Sequence, residues 1–277
     1  MVMAPLITYK TDIVPNYLDS MEPHGDFQFH FHNIYEIYYF IDGDADYIVE
    51  GKQYPLVPHT LLLLAPHAVH GVRINNPTRY KRFTIHFNAD LISIDRRTFL
   101  LSAFPDNSNS QGHSVCYQDV GNFNLYPFFK ALTDCNTLPK SIAKKLLPVY
   151  IEALLAQLVL MCNTLNQSED SIVLSNTVVH ITDYINQHIS EPITLDQLCE
   201  HFFISKVHLN RIFKNAIGTT VFDYIAYKRI GIAQHLLGNG VPAKEAALKV
   251  GYNDYSTFFR AYKKITGHSP TQDALTK

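Results

Sequence analysis

One stretch of this chain is written twice, and the distance between the copies restricts what can be built around it. Residues 205–218 read SKVHLNRIFKNAIG and residues 254–267 read DYSTFFRAYKKITG, so Arg211 and Arg260, Lys214 and Lys263, and Gly218 and Gly267 are each 49 positions apart. An internal repeat is one structural unit used twice. Ser205 and Asp254 can cap a helix, apolar residues then recur three and four apart, and each copy closes on a glycine suited to a left-handed C-terminal cap. Each copy is therefore predicted to be one helix of about fourteen residues.

A shorter helical pattern precedes each copy. Thr194 to Gln197 has the form of a capping box before Leu198, and Pro242 fits the first turn of a helix ending at Gly251. A short helix, a tight turn and a second helix with polar residues at its start is the helix-turn-helix plan, whose second helix enters the DNA major groove. Between the two units, Thr220 to Leu237 reads as one helix with Phe222, Ile225, Ala226, Arg229, Ala233, Leu236 and Leu237 on one face. Such a rod is about 27 Å long, and with its turns it suits recognition helices about one DNA turn, roughly 34 Å, apart.

These residues carry a resemblance. Ile181 to Pro270 resembles the DNA-binding domain of AraC/XylS-type transcription regulators through Ser205, Leu209, Arg211, Phe213, Lys214, Arg229, Ala233, Gly251, Tyr252, Asp254, Ser256, Phe258, Arg260 and Lys263. Tyr262 stands where that family usually has Phe, and the usual Tyr-Arg pair after Pro270 is absent. The base-facing candidates are Lys206, Val207, Asn210 and Arg211 on the first recognition helix and Tyr255, Ser256, Thr257 and Arg260 on the second. Asn and Arg can bond bidentately to adenine and guanine. Lys214, Lys263 and Lys264 lie farther along, where phosphate contact sets affinity without reading sequence. Arg229, on the apolar stripe, is expected to be a buried arginine seeking a carboxylate or carbonyl; Phe202, Phe203, Phe213, Phe258 and Phe259 are expected to be mostly core.

A net charge of −2 conceals an uneven distribution. Residues 176–277 carry 11 Lys and Arg against 8 Asp and Glu, whereas the whole chain has 23 against 25, so positive charge gathers where DNA contact is expected. Cys116, Cys135, Cys162 and Cys199 show no C-x-x-C spacing, which points to buried thiols in a reducing compartment. With no run of eighteen apolar residues and no leader pattern, a cytoplasmic protein without membrane contact is expected.

From Phe27 to Phe87 the texture is β. The runs 27–32, 35–41, 46–49, 61–64, 69–74 and 80–87 are separated by turn signals at Asp42-Gly43-Asp44, Glu50-Gly51-Lys52, Pro58 and Asn75-Asn76-Pro77. Six such strands predict a small barrel or jelly roll. Within it, Gly25, His30, His32, Glu36 and Gly43, followed by Pro66 and His70, resemble the two cupin motifs, although Gly25 is one residue too close and His59 replaces the expected glycine. Imidazole and carboxylate together suit Zn, Fe, Mn or Ni. The resemblance to sensor domains of this regulator family implies instead a polar pocket without metal or other cofactor. His30, His32, Glu36, Tyr38 and Phe40 share strand parity, with His70, Arg73, Tyr47 and His86 added from neighbouring strands. The candidate effector residues are thus His30, His32, Glu36, Tyr38, His70, Arg73 and His86.

Residues 104–114 form a polar loop; 124–134 and 140–166 then read as helices, the second strongly apolar and kinked at Pro148. That helix either packs on its own barrel or pairs with a second copy. The expected architecture is α+β in two domains: residues 1–165, a cupin-like jelly-roll barrel with flanking helices for effector binding and dimerisation, and residues 177–277, an all-α domain of two helix-turn-helix units on a linker helix. Residues 166–176 connect them. The function expected is that of a non-enzymatic, effector-responsive, DNA-binding regulator working as a homodimer. The resemblance implies a sugar as effector and RNA polymerase as a further contact. A metal-dependent cupin enzyme and a constitutive DNA-binding dimer are the competing readings.

Overall fold

A computed structural model describes residues 13–21, 29–76, 79–105, 114–165, 172–173 and 176–274. Gly25 and most of the 166–176 connection fall outside them. The N-terminal half is built of β1 (Val14–Ser20), β2 (Tyr35–Asp42), β3 (Ala45–Val49), β4 (Lys52–Pro55), β5 (Leu61–Leu64), β6 (His70–Ile74), β7 (Tyr80–Phe87), β8 (Cys116–Tyr117) and β9 (Ile172–Val173). They form two antiparallel sheets, ordered β1-β7-β2-β5-β8 and β6-β3-β4-β9. Pro15 sits in β1, an edge strand, where a missing ladder donor costs least. Of the predicted strand at 27–32, the described part forms only a bridge, His30 to His70.

Alternation along β2 divides its residues between two cores. Tyr38 and Phe40 face inward between the sheets, with Tyr47, Tyr54, Leu62, Leu64 and Tyr80. Ile37 and Tyr39 face outward, with Leu61, Leu63, Phe83, Ile85 and Phe87, and are covered by α1 (Ile94–Leu101), α2 (Tyr126–Asp134) and α3 (Lys140–Thr164). Pro148 lies inside α3. This helix is long and apolar enough to cross a membrane by length and composition, but Ile151, Leu154, Leu155, Leu158 and Cys162 are buried in the barrel-side core.

The C-terminal half is helical: α4 (Asn176–Gln187), α5 (Leu195–Phe202), α6 (Lys206–Ile217), α7 (Val221–Gly238), α8 (Ala243–Lys249), α9 (Tyr255–Thr266) and α10 (Pro270–Ala274). Thr194 and Gln197 complete a capping box on α5. The repeat is reproduced atom for atom at its ends: Ser205 Oγ accepts from His208 N–H, and Asp254 Oδ2 from Thr257 N–H. Gly218 and Gly267 close the two helices at φ +78° and +81°. Leu209, Phe213, Phe258 and Tyr262 are buried on the inner faces of α6 and α9. Arg229 ties the units together, donating to the carbonyls of Ile189, Glu191 and Gly251.

Two expectations fail here. Phe203 is 94% exposed, because it takes a left-handed conformation at the turn between α5 and α6 and its side chain leaves the core. Phe222 is 54% exposed, although it was counted on the buried stripe of α7. The helix buries Val221, Tyr224, Lys228 and Gly231 as well as Ile225, Ala233 and Leu237, and so is covered on two sides. The second cover is the barrel.

Replacing Phe258, wholly buried in the helical core, by Ala is expected to cost about 3–5 kcal/mol. Val207→Ala, at an 80% exposed position in the first turn of α6, should leave stability within about 0.5 kcal/mol. Chemical denaturation followed by helical circular dichroism compares the two.

Candidate DNA interface and effector pocket

The two recognition helices present their polar starts to solvent. On α6, Lys206, Val207, Arg211 and Lys214 are exposed and Asn210 is half-buried; on α9, Ser256, Thr257, Arg260, Lys263 and Lys264 are exposed and Tyr255 is half-buried. Several are already oriented. Arg211 Nη2 lies 3.1 Å from His208 Nδ1, and Arg260 Nη2 donates to Thr257 Oγ1 at 3.3 Å. Thr257 in turn is held by the capping carboxylate of Asp254 through both its N–H and its hydroxyl, at 2.7 Å each. The bonds to Thr257 keep the Asp254 carboxyl below the usual range. Lys206 pairs with Asp196 of α5 at 2.6 Å, and Lys264 with Asp223 of α7 at 3.8 Å. Exposed pairs of this kind are weak enough to exchange for phosphate. His208, exposed beside Arg211, was not singled out from the sequence; its place three residues before the arginine was the available signal.

Inside the barrel, four of the predicted pocket residues gather tightly. Glu36 Oε2 lies 2.9 Å from His32 Nε2, 3.1 Å from His70 Nε2 and 3.0 Å from His86 Nε2, while Tyr47 donates to Oε1 at 3.3 Å. Glu36 and His86 are direct partners in the β2–β7 register. The His30 ring centroid is 4.4 Å from that of His70. Burial pushes His32 down to about 4. Burial alone would raise the Glu36 carboxyl; the surrounding imidazoles of His86, His70 and His32 overcome it and hold the group well below its ordinary value. Farther along β2, Tyr38 is buried with its hydroxyl bonded to that of Tyr80 and its ring under Arg82.

Arg73 does not reach the pocket. On β6, His70 and Val72 face the barrel interior, so the odd-numbered Arg73 points to solvent. The arginine that does face inward is Arg82, which shares the inward parity of Tyr80 and His86 on β7 and donates to Thr84 Oγ1 at 2.8 Å. Parity along β7, counted from His86, would have found it.

Between barrel and helices runs a buried seam. Glu50, just after β3, accepts from Val69 N–H at 2.7 Å, from Lys228 Nζ at 3.1 Å and from the Tyr224 hydroxyl. Lys228, 7% exposed, also donates to His67 O at 3.1 Å. Burial and the neighbouring Glu50 carboxylate push the Tyr224 phenol well above its usual value. Burial, aided by the Lys228 ammonium, lowers His67 to about 3. Gly231 is required where His67 lies against α7, and Phe29 packs so closely on Gly218 that a Cβ there would overlap its ring. Beside the ion pair opens a cavity of ≈ 410 Å³, lined among others by Glu50, His67, Asp183, Asn186 and Lys228.

Comparison with known proteins agrees with this division. Residues 198–274 match a helix-turn-helix domain family and residues 17–110 an AraC-like ligand-binding domain family. An uncharacterized HTH-type transcriptional regulator of Bacillus subtilis, YfiF, is 24% identical over 259 residues, covering 92% of this chain and 81% of that one. The transcriptional regulatory protein HptR of Staphylococcus aureus is 33% identical over 94 residues, 34% of this chain and 37% of its own length. Among solved structures, the C-terminal domain of AraT, a response regulator from Geobacillus stearothermophilus, is similar at 33% identity over 38% of this chain and 88% of that chain, with a TM-score of 0.36. The chain belongs to the AraC family of transcription regulators. It is a DNA-binding regulator that carries a ligand-binding domain.

If the exposed arginines read base edges, Arg211→Ala and Arg260→Ala should each cost about 1–3 kcal/mol of DNA affinity and relax preference in one half of the site, whereas Lys263→Ala weakens all sequences alike. Selection of bound oligonucleotides by each variant checks this, and unchanged preference in both arginine variants would remove the recognition assignment. For the seam, Lys228→Met strands Glu50, and removing one partner of a buried pair costs about 3–5 kcal/mol. Calorimetry should then resolve separate barrel and helical transitions at lower temperature; an unaltered melting profile would contradict the seam's role.

Proposed function

We propose that this chain binds DNA through α6 and α9 together and that a small polar metabolite, a sugar being the first class to test, changes that binding from within the barrel. The base-reading group is Lys206, Val207, Asn210 and Arg211 with Tyr255, Ser256, Thr257 and Arg260; Lys214, Lys263 and Lys264 hold phosphates. The pocket group is His30, His32, Glu36, Tyr38, His70 and His86, with Arg82 taking the part expected of Arg73.

One observation carries the coupling. The segments that supply the pocket histidines have two faces. His32 and His70 lie among the barrel polar groups, while Phe31 and Val69, next to them in the chain, belong to the core of the DNA-binding half. The Phe31 ring lies 5.1 Å from that of Tyr227 of α7, tilted by 48°, and Phe29 seats against Gly218 at the end of α6. A ligand that shifts the histidines therefore shifts the surface on which the first recognition unit rests. The hydroxyls of Tyr38, Tyr47 and Tyr80 and the Arg82 guanidinium support a polyhydroxylated or anionic ligand.

We further propose a homodimer acting in the cytoplasm on promoters read by RNA polymerase, with no enzymatic step. Ile142, Val149, Ala153, Ala156 and Leu160 form an exposed, largely apolar stripe along α3, opposite the face buried on the barrel, and this supports pairing with a second copy. The domain division at 1–165, 166–176 and 177–277 belongs to the same reading.

Footprinting of the full chain on DNA, with and without candidate sugars, tests the proposal. Protection over two successive major grooves is expected, modulated by a ligand that also raises the melting temperature. Ala226→Pro removes a helical hydrogen bond and kinks α7, at about 3 kcal/mol or more, and should shorten the footprint to a single groove. Full two-groove protection by that variant would refute the role of α7 as a rigid spacer.

A further inference from the structure

We propose that His208 and Thr257 are the positioning residues of the two reading helices, and that they set sequence preference by aiming Arg211 and Arg260 before DNA arrives. The inference rests on the reading in which these two arginines meet base edges. Within the base-reading group, Thr257 acts through Arg260, and His208 joins the group as its counterpart on α6.

Ser205, His208 and Arg211 occupy the cap, the third and the sixth positions of α6, and Asp254, Thr257 and Arg260 occupy the same positions of α9, each 49 residues on. Side chains three apart are neighbours on a helix face. In both helices the cap oxygen accepts the N–H of the third residue, from His208 at 3.2 Å and from Thr257 at 2.7 Å. In both, the side chain of that third residue meets the arginine Nη2, His208 Nδ1 at 3.1 Å and Thr257 Oγ1 at 3.3 Å. A guanidinium only donates, so His208 Nδ1 is the accepting nitrogen and the ring proton sits on Nε2. The Thr257 hydroxyl gives its hydrogen to Asp254 Oδ2 at 2.7 Å, which leaves its lone pairs for Arg260. Two other helices supply the contrast. The cap of α5 joins Thr194 to Gln197 and that of α7 joins Thr220 to Asp223, but the sixth residues there are Glu200 and Ala226. Among the described caps of the helical half, the device continues into an arginine only on α6 and α9.

Bidentate bonding to guanine needs the guanidinium held along the base edge. A long exposed side chain reaches that geometry only by giving up rotamer freedom, and one already held gives up less on binding. The holding bond takes a single hydrogen of Nη2, so four of the five N–H donors stay available to the duplex. Removing the holder therefore leaves the arginine able to touch DNA but poorer at telling one base from another. His208 and Thr257 are both exposed, so substitution there leaves the helical core alone.

The test selects bound oligonucleotides with the full-length chain and then measures affinity for sites altered at the positions whose preference Arg211→Ala or Arg260→Ala abolishes. Thr257→Val keeps the shape and the backbone cap but removes the acceptor, and Thr257→Ser restores the hydroxyl. His208→Leu and His208→Asn make the same comparison on α6, since the amide oxygen can stand in for Nδ1. Thr257→Val and His208→Leu should each lower discrimination at the position of their own arginine by about two- to tenfold, the range of one net hydrogen bond, and Thr257→Ser and His208→Asn should recover most of it. Circular dichroism verifies that each variant is folded. A double-mutant cycle then decides the role. On the Arg260→Ala background, Thr257→Val should change discrimination at that position no further, and His208→Leu should behave likewise on Arg211→Ala. Persistence of the full effect there would mean that the two side chains touch DNA themselves and would overturn the proposal, as would unaltered discrimination in either single variant. If Arg211→Ala and Arg260→Ala leave preference intact, the base-reading assignment itself falls and takes this inference with it; if they abolish it while His208→Leu and Thr257→Val do not reduce it, only this inference falls.

Discussion

A lysine ammonium buried between two domains does not accept an approximate fit. Lys228 leaves water only because the Glu50 carboxylate and the His67 carbonyl receive it, and Glu50 is in turn fixed by Val69 N–H and the Tyr224 hydroxyl. Removing either charged partner would leave the other charge desolvated without its counter-ion. The barrel and the helical half are therefore held in one relation by a few directional bonds, and the apolar contacts of Phe29, Phe31 and Gly231 fill in around them.

The same alternation of side chains builds both the pocket and its connection to the helices. Period-two geometry sends His70 and Val72 into the barrel and Val69 into the helical core. No separate relay element is required. The pocket wall and the docking surface are opposite faces of one piece of backbone, so a displacement on one side is a displacement on the other.

Much of this was legible from local rules. The 49-residue spacing located both recognition helices, and the caps at Ser205, Asp254, Gly218 and Gly267 fell where side-chain oxygens and glycine are needed. Arg229 on an apolar stripe foretold its carbonyl partners. His30, His32 and Glu36 followed from shared strand parity and His70 from the cupin-like spacing, whereas Arg73 was lost because its strand was not counted from His70. What local pattern could not carry was contact between distant segments. Nothing in the local pattern singles out Lys228, and Phe222 reads as core, because the barrel that covers the other side of α7 lies more than a hundred residues away in the chain. Phe203 defeated composition for a different reason: its left-handed backbone turns an aromatic outward.

The two reading units share a frame but not a text. Where α6 offers Asn210 and Arg211 beside Val207, α9 offers Ser256, Thr257 and Arg260 beside Tyr255, and a single helix joins them within one polypeptide. A protein made this way has a front and a back. On a duplex read by α6 and α9 as proposed, it would recognise one strand polarity and not its mirror order, and the barrel would lie to a defined side of the bound sequence. Orientation relative to a neighbouring gene would then be a property of one chain, independent of any second copy.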